Sequence, residues 1–438
     1  MMRTATAACL FAFTILAAKA QTAQPLTGNW IVTADLFGAP IYARFTLDQQ
    51  GDKLTGNFNG DKLEGTVTGN QIHFVSKDNE GGSDTVQGTL QNNTLTGDYT
   101  EIDSSNPTHP EHHTFTAVLA APLQHSTPQR HDFTPTVFYR QFSPFYKPVL
   151  TVNPGDTIHT TTVDAGSTDE KGVRRVLGGN PETGPFYIQG AQPGDTLVVH
   201  LVRLKLNRDY AISDDNLVGR VLGPGLAVKM KDTGKTIRWH LDLAKGLASP
   251  ESPGEHMRSF TIPVHPMLGC IATATGPAGA PPGTGDSGGY GGNMDFNENA
   301  EGATIYLPVS NPGALLYVGD GHALQGDGEL NGNALETSMD VEFTVDVLPG
   351  KRIGGRRIET PTDLIAMGLA GSLDDAIKEA TGNMANWLEQ DYKLTPTEIA
   401  QFLGVASEYH ISEVADRNAG IVLKIAKSKL STLTAAAK

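Results

Sequence analysis

The sequence predicts a mainly β protein: a small N-terminal barrel or meander, then a larger β-sandwich-like domain with C-terminal helices. Short alternating runs separated by Gly, Asn and Asp fill the first 120 residues, strand-like runs continue to residue 348, and helical periodicity appears only after residue 370. A chain of 438 residues is long enough for more than one core. We expect an N-terminal domain at 25–120, a linker at 121–148 and the larger domain at 149–438.

The first 20 residues are typical of a secretory signal. A basic start is followed by an apolar run from Ala7 to Ala18 and a small-residue pattern ending at Ala20. The run is shorter than the about 20 residues that a membrane-spanning helix needs. We therefore expect cleavage after Ala20, an extracytoplasmic (periplasmic or secreted) protein and no membrane anchor. Because Cys9 would leave with the signal, Cys270 would have no intramolecular disulfide partner.

The N-terminal domain is predicted to be antiparallel. Related strand-and-turn segments, LTGNFNG, LEGTVTGN and LTGDYT, return along residues 54–100 and indicate a β-meander. Alternation alone does not tell whether this domain binds a ligand, covers an active site or assists assembly. The segment from His109 to Pro148 is rich in His and Pro, which favours a solvated linker over a metal site.

The helices are predicted from their N-terminal signals. Ser372 followed by Asp375 predicts an N-cap before an apolar stripe at helical spacing. Thr395, Pro396 and Glu398 predict a capping box with proline in the first turn of a second helix.

The charge balance excludes two classes of partner. The formal net charge is −15, whereas nucleic acids and anionic lipids are bound by basic surfaces. We therefore expect no nucleic-acid partner, and a neutral small molecule or a cation as the ligand.

The densest group of reactive side chains lies in GALLYVGDGHALQGDGEL, residues 313–330. An apolar run leads into glycine turns that present Asp320, His322, Asp327 and Glu329, and glycine lets the backbone approach a ligand closely. Residues two apart on an extended chain face the same side, so each pair could supply two ligands. Imidazole with carboxylates suits Zn²⁺, and carboxylates with carbonyl oxygens suit Ca²⁺ or Mn²⁺. Composition alone equally allows a polar loop whose acids form turns and caps.

The same segment resembles the signature of the acetamidase/formamidase family, in which an apolar strand leads into a G-D-x-H-A…G-D-G-E turn. Three further segments match the family in order: NPGDTI…VDAG at 153–166, TGPFYIQGAQPGDTLVVHL at 183–201 and GGNMDF at 291–296. HPMLGCIATA at 265–274 and the helical tail are also similar. The resemblance covers residues 135–430 approximately and leaves the N-terminal domain outside it.

This resemblance implies a mainly β fold and hydrolysis of a short amide, such as formamide or acetamide, to a carboxylate and ammonia. It also implies a bound divalent metal, for which we expect Zn, with Ca or Mn as alternatives. We assign as metal ligands Asp164, Asp295, Asp320 and His322. We assign Glu329 as the base that moves a proton from water to the leaving amine, and Asn293 as a donor to the developing oxyanion. Asp327 is assigned either as a ligand or as the residue that orients Glu329.

The stretch before Thr183, GGNPETGP, departs from the family pattern, which is often longer and more acidic or His-rich there. The resemblance therefore assigns no ligand near residue 180.

Two other functions stay open at this stage. The chain could be a secreted, non-catalytic binding protein on the same fold, or it could hydrolyse another bond, such as that of a lactam or an ester. The acid–imidazole set favours an enzyme, because a binding module does not require it. The expected partner is a small amide substrate, and whether the chain forms a homo-oligomer is open.

Overall fold

The computed structural model describes residues 26–231 and 233–433. The predicted signal sequence, residues 1–20, lies outside the described residues, so export stays a prediction.

An eight-stranded closed barrel forms the N-terminal part. Its consecutive strands are joined by short loops and pair antiparallel, and β1 also pairs with β8, which closes the barrel. The strands are β1 Gly28–Leu36, β2 Ala39–Gln50, β3 Lys53–Phe58, β4 Asp61–Thr68, β5 Gln71–Lys77, β6 Ser83–Gln91, β7 Thr94–Ile102 and β8 Glu111–Leu119.

Aromatic side chains fill the barrel. Phe45 is fully buried at its centre and meets the rings of Phe58, Phe74 and Phe115 edge to face, at centroid distances of 4.8, 5.2 and 5.5 Å. Alternate residues of every strand point inward, as the period of two in the sequence requires. The interior is therefore a packed core.

Nineteen further strands build three sheets of the larger part. In chain order they are β9 Arg130–Asp132, β10 Leu150–Val152, β11 Thr157–Thr161, β12 Thr183–Ile188, β13 Thr196–Leu206, β14 Tyr210–Asp214, β15 Thr236–Asp242, β16 Leu247–Pro250, β17 Ile262–Pro263, β18 Met267–Thr273, β19 Ser287–Gly288, β20 Gly291–Asn293, β21 Thr304–Pro308, β22 Leu316–His322, β23 Met339–Leu348, β24 Arg357–Glu359, β25 Asp363–Ala370, β26 Glu408–Ile411 and β27 Ala419–Ala426.

Two of these sheets enclose the main core. The nine-stranded sheet has the order β26-β27-β25-β24-β21-β13-β23-β11-β9, and the six-stranded sheet has the order β10-β12-β22-β18-β20-β19. Apolar side chains from both fill the space between them. The third sheet, β14-β15-β16-β17, has four strands.

The helices are α1 Pro224–Lys229, α2 Leu373–Tyr392, α3 Pro396–Ala406 and α4 Lys427–Leu430. The Ser372 hydroxyl accepts a hydrogen bond from the Asp375 backbone N–H, and Thr395 and Glu398 form a complete capping box, so both predicted helix starts are confirmed. The buried face of α2 packs against β25 and β27. No helix in the described ranges has both the length and the apolar character to span a membrane.

The barrel contacts the larger part through polar groups. The Arg44 guanidinium donates to Asp195 Oδ1 at 2.7 Å, and the backbone N–H of Gly350 donates to the same oxygen at 2.7 Å. Arg352 donates to the backbone carbonyl of Asn59. Because Asp195 is buried and accepts hydrogen bonds from both Arg44 and Gly350, this contact orients the barrel on the larger part better than an exposed ion pair would.

The predicted fold class is confirmed: a small barrel, larger β-sheets and C-terminal helices. Within the segment predicted as a linker, residues 130–132 form β9, which pairs with β11 at the rim of the nine-stranded sheet.

The packing of Phe45 predicts a stability loss confined to the barrel. Phe45→Ala should lower the free energy of unfolding of the barrel by about 3–5 kcal/mol, because it removes a fully buried ring and leaves a cavity. Denaturant unfolding followed by the fluorescence of Trp30, which is buried in the barrel, measures this. Phe37→Ala is the control, since Phe37 is 86% exposed and should change stability little. Equal effects of the two substitutions would contradict the assignment of the core.

Candidate functional site

The candidate site forms where the buried strand β22 ends. All seven residues of β22 are buried, and the strand carries Asp320 and His322 at its end. The neighbouring strand β18 is also fully buried and pairs with both β22 and β20. Asp295 follows β20 by two residues. Because β18 pairs with β20 on one side and with β22 on the other, the carboxylate of Asp295 lies beside that of Asp320.

Gly269 of β18 makes this approach possible. A Cβ atom at Gly269 would clash with the carboxylate oxygens of both Asp320 and Asp295. The two carboxylates therefore lie over a backbone position that only glycine can occupy without displacing them.

Three acids of the site have left-handed backbone conformations. The φ angles are +37° at Asp295, +55° at Asp320 and +46° at Glu329. This region is disfavoured for residues with a side chain and costs about 1 kcal/mol or more at each position. Strain of this kind is concentrated at functional sites, and here it turns three carboxylates toward one point.

Two overlapping groups of buried side chains could hold a metal ion. Donor atoms of Asp295, His322 and Glu329 lie within 4.8 Å of one another, and so do those of Asp320, His322 and Glu336. We call these five residues the acid–imidazole cluster. Both Asp295 oxygens, Asp320 Oδ1 and His322 Nε2 are buried without a hydrogen-bond partner, whereas buried polar groups are normally paired.

The His322 ring is held with Nε2 facing the carboxylates. Gln325 donates through Nε2 to the backbone carbonyls of Asp295 and Ser412, so its Oε1 is the atom that accepts from His322 Nδ1–H at 2.9 Å. The opposite nitrogen, Nε2, lies 3.4 Å from Asp320 Oδ1 and 3.3 Å from Glu336 Oε1. Fixing one ring nitrogen by an outer hydrogen bond and aiming the other inward is typical of histidines that ligate metals.

The pKa values show how crowded the negative charge is. Burial, together with the neighbouring carboxylates, raises the pKa of Asp295 and of Glu329 well above the ordinary range and that of Glu336 to about 7, although the His322 imidazole acts in the opposite direction. Burial alone would lower the pKa of His322, but the carboxylates of Glu336 and Asp320 outweigh it and raise the pKa. Burial alone would raise the pKa of Asp320, but His322 outweighs it and lowers the pKa. Without a bound cation, the cluster takes up protons to offset its charge.

The cluster opens into a cavity of about 780 Å³. Asn293, Asp295, Asp320 and Glu329 line its floor together with further acids, and Arg140 is the only cationic side chain lining it in the described ranges. The rings of Tyr139 and Tyr146 stack at the wall with a centroid distance of 4.0 Å. Polar groups at the floor and aromatic rings at the wall suit an organic molecule with one polar end.

The structure brings four of the seven predicted site residues to the cavity: Asn293, Asp295, Asp320 and Glu329. His322 lies directly behind them. Asn293 accepts at Oδ1 from Asn180 at 2.6 Å and donates through Nδ2 to Asp416.

The structure does not bring Asp164 and Asp327 into the cluster. Asp164 forms a buried ion pair with Arg208 at 2.7 Å. Asp327 is exposed, accepts from Asn297 at 2.8 Å, pairs with His410 at 3.1 Å and lines a different cavity. The alternation rule that paired Asp327 with Glu329 fails here because the chain turns at Gly328, where φ is +87°.

Four polar residues of the site were not predicted from the sequence: Asn180, Glu182, Glu336 and Asp416. Glu182 is fully buried with its carboxylate over Gly319, the residue before Asp320, and burial, followed by the charge of Asp320, raises its pKa well above the ordinary range. It lies in the GGNPETGP stretch, and the departure of this stretch from the family pattern was the one feature of the sequence that drew attention to it. Asp416 lies in the tail, more than 80 residues from the motif, and only the fold brings it near Asn293.

Comparisons with known proteins place these observations in a family context. The family model of the Acetamidase/Formamidase family matches residues 282–363, which contain the whole acid–imidazole cluster. A recombinant predicted acetamidase/formamidase from Thermoanaerobacter tengcongensis is 27% identical, with a TM-score of 0.60 over 70% of this chain and 99% of that one. An acetamidase from Bacillus halodurans is 26% identical, with a TM-score of 0.59 over 69% and 99%. An acetamidase from Yersinia enterocolitica, 24% identical with a TM-score of 0.60 over 70% and 94%, shows the same fold. No curated protein sequence matches the chain.

A buried acid beside the cluster predicts a pH dependence of stability. Glu413 is fully buried, its Oε1 has no hydrogen-bond partner, and burial raises its pKa to about 8. Unfolding restores an ordinary pKa near 4.5, so Glu413 contributes a loss of stability as pH rises between these values, and Glu413→Gln lacks this contribution. In chelator-treated protein, the free energy of unfolding of the variant should exceed that of the wild type by about 1.4 kcal/mol more for each pH unit between 4.5 and 8. Below pH 4.5 the two proteins should be equally stable.

Urea unfolding from pH 4.5 to 8.5 measures this difference. Glu408→Gln is the control, because Glu408 is exposed on the neighbouring strand β26. A Glu413→Gln difference that is independent of pH would refute the prediction.

Proposed function

We propose that this chain belongs to the acetamidase/formamidase family as a hydrolase of linear amide bonds, and that it releases ammonia from a small amide at the acid–imidazole cluster. The proposal rests on one observation: carboxylate oxygens of Asp295 and Asp320 and the Nε2 atom of His322 are buried without hydrogen-bond partners. Buried carboxylates without hydrogen bonds are costly unless a cation compensates them.

The residues present fit a divalent cation. Asp295, Asp320 and His322 would hold it, with Glu336 next to His322, and a nitrogen with several carboxylate oxygens is a donor set that Zn²⁺ accepts. Calcium and manganese are the alternatives, because oxygen atoms outnumber nitrogen in the cluster. When bound, such an ion polarises the substrate carbonyl and lowers the pKa of a water molecule.

Glu329 is positioned to move the proton. Its carboxylate is buried at the cavity floor within reach of Asp295 and His322. We assign it the proton that the attacking water loses and that the amide nitrogen gains as the C–N bond breaks. The hydroxyl group stays on the carbonyl carbon, so the products are a carboxylic acid and ammonia, and Glu329 returns to its initial state.

Asn293 is positioned to stabilise the oxyanion. One hydrogen of its side-chain NH₂ is held by Asp416, which leaves the other for an acceptor in the cavity. Asn180 donates to the Asn293 carbonyl oxygen and prevents the amide from rotating. A donor that is oriented before the reaction needs no reorganisation in the transition state.

Asp164 and Asp327 take different parts in this scheme. Asp164 binds Arg208, which also donates to the backbone carbonyl of Glu336, and the Ala165 N–H lies 3.4 Å from the Glu336 carboxylate. Asp164 is therefore a positioning residue for Glu336. Asp327 lies on the outer side of the loop and has no part in the reaction.

The binding-protein alternative and hydrolysis of another bond remain testable rivals. A cavity of about 780 Å³ is larger than formamide or acetamide fills, which favours testing longer amides, lactams and esters beside them.

Ammonia release tests the proposed function directly. Purified protein should release ammonia from formamide, acetamide or a longer primary amide, lose this activity on chelation and regain it with zinc, manganese or calcium. The measurement is coupled ammonia detection across the amide series, with metal content determined by mass spectrometry. Metal-loaded protein that hydrolyses no amide, lactam or ester would favour the binding-protein alternative.

The role of Glu329 predicts a contrast between two acids of one loop. Glu329→Gln should reduce kcat by about 10²–10⁴-fold with metal content retained, because it removes the group that transfers the proton. Asp327→Asn, an isosteric change two residues earlier, should leave kcat within about threefold, because surface substitutions away from the site have small effects. Steady-state kinetics of both variants on the best amide measure the contrast. Equal losses in the two would show that the proton transfer is assigned to the wrong residue.

A further inference from the structure

A second group of acids and one imidazole lies at one end of the barrel. The strand register places Asp84 of β6 opposite Glu101 of β7, and Glu101 opposite Glu111 of β8. Paired residues of neighbouring strands point to the same face, so three carboxylates form a row.

This row faces the barrel interior. Each of the three acids lies two residues from a buried interior residue: Val86, Tyr99 and His113. An alternating strand keeps residues two apart on one face, so the carboxylates ring the mouth above the packed core. No Lys or Arg in the described part of the chain forms an ion pair with any of the three.

His113 lies beneath the row and is aimed into it. The residue is 3% exposed, and its Nδ1 lies 3.2 Å from the backbone carbonyl oxygen of Asp35. A carbonyl can only accept, so Nδ1 carries a hydrogen, and in the neutral ring Nε2 has a free lone pair. Nε2 is buried without a hydrogen-bond partner and lies 3.9 Å from Glu101 and 3.7 Å from Glu111.

The ring cannot easily turn away. Tyr99 packs on His113 at a centroid distance of 4.9 Å, and Phe37 meets its edge at 6.2 Å. Phe37 is itself 86% exposed and has a φ of +53°. This backbone conformation belongs to the two-residue turn between β1 and β2, and from it the ring meets one side of the His113 imidazole.

We propose that His113, Glu101 and Glu111 form a binding site for a divalent transition-metal ion of the zinc type at the barrel mouth. Ligand atoms about 2.1 Å from a tetrahedral ion lie roughly 3.4 Å from one another. Nε2 lies 3.9 and 3.7 Å from the two carboxylates, which stand further apart from each other and have to turn inward to share one ion. The half-exposed Glu side chains can rotate to complete the approach. Asp84 adds negative charge, and the Asp35 carbonyl supplies the outer hydrogen bond that ligating histidines usually have.

The rival interpretation is a protonated His113 that pairs with the two glutamates and binds no metal. In that state Nε2 carries a hydrogen, which the same two glutamates accept after a small rotation of their side chains. The two interpretations differ in the protonation of Nε2 and in the number of ions bound.

Zinc titration of the full-length protein, with the ion of the acid–imidazole cluster left in place, tests the proposal. Wild type should bind one Zn²⁺ more than Glu101→Gln/Glu111→Gln, a double variant of exposed residues that is expected to fold. His113→Gln should also lose this ion, and the affinity in both should fall at least tenfold. His112→Gln is the matched control, because His112 is the next residue but lies on the outer face. None of the variants should change amide hydrolysis, so failure here is distinct from failure of the proposed function.

Nitrogen NMR of ¹⁵N-histidine-labelled protein provides a second readout. The Nε2 signal of one buried histidine should move on zinc addition, and this signal should be absent in His113→Gln. Unchanged zinc stoichiometry in the double variant, or a doubly protonated His113 in the presence of zinc, would overturn the proposal.

Discussion

Negative charge buried without a matching protein cation is the constraint on which this structure depends. Asp295, Asp320, Glu329 and Glu336 converge around one imidazole in a region where desolvation makes each ionised carboxylate costly. The fold does not relieve this crowding. Two fully buried strands hold the carboxylates close together, and a glycine in one of them leaves room for two of these groups. Three of the acids have left-handed backbone conformations that turn them toward one point. Such an arrangement contributes nothing to stability, which is why we propose a bound cation to account for it.

Much of the architecture could be predicted from the sequence, because it depends on local patterns. Period-two alternation marked the barrel strands, and the cap residues Ser372 and Thr395 marked the starts of two long helices. In the candidate site, the reactive segment itself pointed to Asp320, His322 and Glu329, and the family resemblance added Asn293 and Asp295. Glu336 was missed although it lies only seven residues after Glu329. Asp320, His322 and Glu329 stand within ten residues of one another, whereas Glu182 and Asp416 join them from segments more than 80 residues away. No local pattern carries such a contact.

Asp327 illustrates a different limit. Its spacing from Glu329 implied a shared face, but that rule holds only for an extended chain. The intervening Gly328 adopts a positive φ, and the two carboxylates point to different cavities. Asp164 occupies a matching motif position, yet it reaches the cluster through Arg208 and Glu336 rather than directly. The family motifs thus indicated which segments surround the site, but only the structure shows which side chains contact one another.

The closure of the barrel by the pairing of β1 with β8 has a consequence for self-association. A closed ring of strands presents no unpaired backbone N–H and C=O groups along a free edge, so another chain cannot extend it by strand addition. The nine-stranded sheet does have two edges, but they are the four-residue β26 and the three-residue β9. Strands this short offer few backbone donors and acceptors to a second copy. Self-association through the barrel or through the nine-stranded sheet would therefore depend on side chains that meet across surfaces more than on a sheet continued from one copy into the next.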